Sequence, residues 1–206
     1  MLRPVPKTRT SSHLALALLV LMLASGCAAN DPGSMTRELT AGPPWQLNLG
    51  RSAAHIAAAG LTALPQETLT VHYHAHLDIV VDGVSIPVPA SLGIVTRKKG
   101  SNLELAAIAP LHTHDATGVI HIEAPRAVPF RLGQVFREWG LRLDTRCIGG
   151  LCSSAGTGVR VSVNGAVVSG DPAQILLIKH QEITVQYGEL TSLPPAASSY
   201  AFAPSQ

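Results

Sequence analysis

The chain has 206 residues, room for one compact domain plus a leader or at most two small domains. Only 14% of the residues are charged and the formal charge is +2; the sole short basic run is Arg97-Lys98-Lys99, which argues against a nucleic-acid partner. Without Arg3, Lys7 and Arg9 the balance turns slightly acidic.

Those three basic residues head a leader. They precede an apolar stretch, residues 14–23, that is too short to be a permanent membrane span. It runs into Leu23-Ala24-Ser25-Gly26-Cys27, which resembles the bacterial lipobox. The resemblance implies that residues 1–26 are a lipoprotein signal peptide, that cleavage falls before Cys27, and that Cys27 carries the lipid. Several acyl chains on one residue make a stable membrane anchor. Position 28 is Ala rather than Asp, which implies an outer-membrane address facing the periplasm in a Gram-negative cell.

Residues 27–50 are rich in Asn, Asp, Pro, Gly, Ser and Thr and read as a flexible tether. Residues 51–190 read as one domain. It opens with an Ala-rich helix over 51–64, broken near Gly60 and ended by Pro65. Residues 69–81 (L-T-V-H-Y-H-A-H-L-D-I-V-V) form a strand. Asp82-Gly83 predicts a tight hairpin in which Val81 faces Val84 and Ile79 faces Ile86. Pro87 and Pro89 end the return strand early. Residues 97–102 read as a polar turn and 103–108 as a short apolar segment. Residues 111–123 (L-H-T-H-D-A-T-G-V-I-H-I-E) form a second hairpin; with Ala116-Thr117 as its loop, His114 faces Val119 and His112 faces His121.

In 130–140 the period changes. Leu132, Val135, Phe136 and Trp139 recur at helical spacing and Gly140 can stop the helix. With Cys27 lipidated, Cys147 and Cys152 remain as a pair in C-I-G-G-L-C, and outside the cytoplasm such a pair most simply forms a disulfide. Strands follow over 159–163 and 166–169 around Asn164-Gly165, then a short apolar segment at 175–178 and a last strand at 182–187. Residues 191–206 read as a disordered tail.

The fold class is therefore α+β, a mostly antiparallel or mixed sheet with one packed helix. The order of elements from residue 119 resembles a β-grasp (ubiquitin-like) module, and V-S-V-N-G…H-Q-E-I-T-V resembles the closing strands of its sulfur-carrier members. No terminal Gly-Gly is present, so their thiocarboxylate chemistry is not implied. Three further motifs, H-A-H-L-D-I-V-V-D-G, L-H-T-H-D-A-T-G-V-I-H-I-E and F-R-L-G-Q-V-F-R-E-W-G, together resemble a family of uncharacterised bacterial exported or membrane-anchored His-rich proteins across about residues 52–190. That resemblance implies a single unit and no particular reaction.

Six of the nine histidines fall between residues 72 and 121. Alternation in a strand puts His72, His74, His76 and Asp78 on one face and Val71, Tyr73, Ala75, Leu77 and Ile79 on the other. A hydrophobic core has no use for such a column of imidazoles. Neutral imidazole suits zinc or copper, with iron or nickel also possible, and two His-x-His pairs on neighbouring strands can share one ion. The expected ligands are His74, His76, His112 and His114, then His121, with His72 the spectator and Asp115, preferred to Asp78, as acidic helper. Metal binding should weaken as pH falls through the ordinary histidine range near ~6.5. Met35 is the only methionine beyond the leader, which disfavours Met-rich Cu(I) carriage; the downstream Glu of a cupin motif and any H-E-x-x-H are missing. Two other readings are a partner-binding module with structural or pH-sensing histidines and a metal-dependent enzyme using the same site.

Overall fold

The computed structural model describes Met1 and residues 37–68, 70–204 and 206. The leader, Cys27 and most of the expected tether lie outside the described residues. Among the described residues no helix is long and apolar enough to cross a membrane.

The strands are β1 (Val71–Val81), β2 (Val84–Ser85), β3 (Ile94–Lys99), β4 (Asn102–Ile108), β5 (Leu111–His112), β6 (Val119–Ala124), β7 (Cys147–Ile148), β8 (Leu151–Cys152), β9 (Thr157–Val163), β10 (Ala166–Val167) and β11 (Glu182–Glu189). The helices α1 (Ser52–Ala58) and α2 (Leu132–Trp139) accompany them. The main sheet is mixed, with seven strands in the order β10-β9-β11-β1-β6-β5 and β2 paired to β1. Its centre is the parallel pair β1–β11, flanked by antiparallel β6 on one side and β9 on the other. The sheet's central strand β1 comes before residue 119, so this mixed unit reaches further upstream than the sequence reading placed it.

Alternation along β1 divides the sheet into two chemically distinct faces. Ala75, Leu77 and Ile79, with Ile120, Ile122, Ile183 and Val185, are buried against Leu132, Val135, Phe136 and Trp139 of α2. Gln134 caps the helix start by accepting the Arg131 backbone N–H at 3.0 Å, and Gly140, at φ +79°, ends it in the left-handed region. The opposite face carries the histidines. At the Asp82-Gly83 turn both residues have positive φ and Val81 pairs with Val84, the expected register.

Several stretches depart from the sequence reading. Residues 97–102 are not a free polar turn: Arg97 to Lys99 belong to β3, which pairs with β4, and Lys99 reaches Glu104 across the strands at 3.0 Å. Residues 175–178 make only an isolated bridge, Arg131 with Leu176. The last part of the expected tether is folded, because Trp45 is buried edge-on to Trp139 and its carbonyl accepts the Trp139 indole N–H at 3.2 Å. Cys147 and Cys152 are joined by a disulfide. A Cβ on Gly149 or Gly150 would strike Trp45 or the Thr40 carbonyl, so those glycines admit the incoming chain as well as closing the ring.

The segment expected to be a disordered tail is also docked. The Pro194 carbonyl accepts from Arg160 and Gln186, Tyr200 stacks on His76 with ring centroids 3.8 Å apart, and Phe202 stacks on His180. Aromatic burial against the polar face holds this C-terminal stretch in place.

Candidate metal centre

Strand register builds the site. In the β5–β6–β1 part of the sheet, His121 lies directly opposite His112 on one side and His74 on the other. Three imidazoles from three strands thus form one row. His72, two residues before His74, sits opposite Glu123, two residues after His121, so a second row of donors lies beside the first. His112 is fixed by its neighbour Thr113, a buried residue whose hydroxyl donates to the Pro89 carbonyl at 2.7 Å and accepts the Leu92 N–H at 3.1 Å.

The ring nitrogens approach closely. His74 Nε2 lies 3.0 Å from His121 Nδ1, and His112 Nε2 lies 3.2 Å from His114 Nε2. Donors held ~2.0–2.1 Å from a tetrahedral ion stand about 3.3 Å apart, close to both spacings. His112 Nδ1–H donates to the Ala109 carbonyl at 3.0 Å. A carbonyl only accepts, so the neutral ring keeps its lone pair on Nε2, aimed at His114.

Two carboxylates join this cluster. Glu123 Oε1 is 3.4 Å from His72 Nε2 and 3.7 Å from His121 Nδ1, while Glu67 Oε1 is 3.4 Å from His114 Nε2. His72, His74 and His121 form one set of converging donors, His112, His114 and His121 a second, and Glu67, His112 and Glu123 a third. The interior members His74, His112 and Glu123 are buried, while His72, His114 and Glu67 form an exposed rim.

The interior rings are held neutral. Burial, then the neighbouring imidazole of His72, lowers His74 to about 4. Burial lowers His112 to about 4 despite its bond to Ala109, and burial with the surrounding imidazoles lowers His121 to about 3. Burial, then the Glu67 charge, raises Glu123. At neutral pH the row offers lone pairs rather than charges, and proton competition at these three rings moves below the window near ~6.5 expected of free imidazole.

His76 shares the strand face but not this cluster. Its Nε2–H donates to the Thr117 carbonyl at 2.8 Å, and its Nδ1 lies 2.7 Å from Glu182 Oε2, so both nitrogens are engaged. Burial opposes charge on this ring, yet the bonds to Glu182 and Thr117 outweigh it and raise the pKa. Its converging donors are Asp78 and Glu182, a separate grouping. Gly118 permits the close approach: a Cβ there would meet the Leu77 carbonyl at 2.5 Å and His76 Nε2 at 2.9 Å.

Of the residues singled out from sequence, then, the fold brings His72, His74, His112, His114 and His121 together and sets His76 apart. Leu111 and His112 are the whole of β5, so His114 stands in the loop rather than opposite Val119. Asp115 spends its carboxylate on the turn, accepting from the backbone N–H and hydroxyl of Thr117, which lower its pKa. Sequence reasoning missed Glu123 and Glu67. Two-residue spacing in H-I-E was the available signal for Glu123; Glu67 lies in an irregular segment before β1 and left none.

No protein-family model, curated protein or solved structure matches this chain. The site must be read from its own chemistry.

Proposed function

We propose that this is an exported, lipid-anchored protein of the cell envelope that binds a divalent transition metal, zinc or copper, through His72, His74, His112, His114 and His121. The observation that carries this reading is the row His112–His121–His74, contributed by three strands, in which His74 and His121 stand at metal-ligand spacing and His112 stands at that spacing from His114. A row of rings kept neutral by burial resembles a preformed nitrogen site, since metal binding requires deprotonated imidazole. The exposed rim of His72, His114 and Glu67 leaves a route for the ion, which fits reversible binding or storage. The three motifs behind the family resemblance supply β1, β5–β6 and α2, the parts that build and support the site.

The test is metal analysis of protein purified without a metal-affinity tag. Stoichiometric zinc or copper, removed by chelator and restored on addition, is the expected result; its absence, with no binding on titration, would favour structural histidines instead. The anchor has its own test. Cys27→Ala should abolish palmitate labelling and release the protein from membranes.

A further inference from the structure

The cluster holds more donors than one ion can use. Five imidazoles and two carboxylates converge, through His72, His74, His112, His114, His121, Glu67 and Glu123, whereas a closed zinc site takes four ligands. The close nitrogen pairs are also separate. One joins His74 to His121 and the other joins His112 to His114, each at the spacing of two ligands on one ion.

Glu123 lies where the two pairs meet. Its Oε1 faces His72 and His121, and its carboxylate also converges with His112 and Glu67. Its Oε2 is buried and has no hydrogen-bond partner. A buried carboxylate that has one oxygen toward the first set, converges as a group with His112 of the second, and keeps its other oxygen unsatisfied has the form of a bridging ligand. Leaving such an oxygen unpaired is costly, and a cation would satisfy it.

We propose that the cluster binds two divalent ions, the first held by His72, His74 and His121, the second by His112, His114 and Glu67, with Glu123 bridging them. The proposal rests on the metal-binding reading above. Two-metal sites of this kind hold their ions roughly 3.5–4 Å apart and can clamp an oxygen ligand between them. The exposed edge of His114 and Glu67 places the second ion nearer solvent, so it is the more exchangeable of the two.

The experiment is titration of the full chain, purified without a metal-affinity tag and stripped by chelator, with Cu2+ followed by electron paramagnetic resonance, and with Zn2+ followed by equilibrium dialysis. Two equivalents should bind, and the copper signal should grow with the first equivalent, then broaden or fall as the second couples to it. The double variant His112→Ala/His114→Ala should keep one uncoupled equivalent, as should His72→Ala/His74→Ala. Glu123→Gln should weaken the coupling. The wild-type coupling needs no variant to fold. A single equivalent in the wild type, or two with no magnetic interaction, overturns the two-ion centre while leaving metal binding intact. No binding at all overturns both readings.

Discussion

His74 and His76 are two residues apart on the same face of the same strand, and the fold gives them opposite chemistry. His74 meets His121 across the antiparallel ladder with β6, and its neighbours are other imidazoles. His76 sits where β1 passes from pairing with β6 to pairing with β11, opposite Glu182, under the ring of Tyr200. Burial is nearly equal at the two rings, 2% and 4% exposed, so it does not distinguish them. The partners decide. Among imidazoles a buried ring is driven neutral and keeps a lone pair; beside a carboxylate and a carbonyl it is driven toward the charged form and gives both nitrogens to hydrogen bonds.

The largest expected effect separates the two regions outright. His121→Ala should weaken zinc affinity by more than about 100-fold, beyond what losing a ligand's hydrogen-bond partner costs. His76→Ala should leave zinc affinity nearly unchanged but destabilise the fold by roughly 3 kcal/mol, because it strands Glu182 as a buried unpaired group. Calorimetric titration and denaturant unfolding read the two effects; equal loss of metal from both variants would erase the distinction.

The pH dependence should split in the same way. For His74, His112 and His121 the folded pKa lies below the ordinary 6.5, at about 4, 4 and 3, so the unfolded chain binds more protons in that interval. Their contribution to the stability of the metal-free protein is fully present above about pH 6.5 and is lost as pH falls toward 4. His76 has the reverse sign: its folded pKa is raised, so its contribution is present below 6.5 and is lost as pH rises through the raised value. Thermal melts of the chelated protein should fall steeply on acidification, and added zinc should delay the fall. Imidazole nitrogen shifts near pH 5.5 should show His76 charged while the row stays neutral, with the His112 proton on Nδ1. Protonation of all four rings together would break the comparison.

The smallest effect concerns the covering ring. Tyr200→Ala removes the stack on His76 and should cost about 1 kcal/mol of stability, with zinc affinity unaltered. Faster hydrogen exchange confined to β11 and the end of β1 is the expected signature. A change in metal affinity would show that the two regions communicate.

Much of the frame was legible because it depends on local periodicity. Period-two alternation marked the imidazole and core faces of β1, helical spacing picked out α2, and Asp82-Gly83 set a hairpin register. The pairing of His112 with His121 was also readable, since a short hairpin leaves few alternatives. Trp45 and Tyr200 were not, because composition marks a Pro- and Ser-rich stretch as loose whether or not one aromatic residue later finds a buried seat. Asp115 was preferred over Asp78 because it follows His114 in sequence, whereas the sheet supplies a different acid, Glu123, two residues beyond His121 and opposite His72.

By itself, then, the sequence determined which side chains share a strand face, because that follows from the backbone geometry of consecutive residues. Only the tertiary structure decided which of those imidazoles face one another and which face an acid. Glu182 is 106 residues from His76 in the chain, and it arrives only through the parallel pairing of β11 with β1, which no local period encodes.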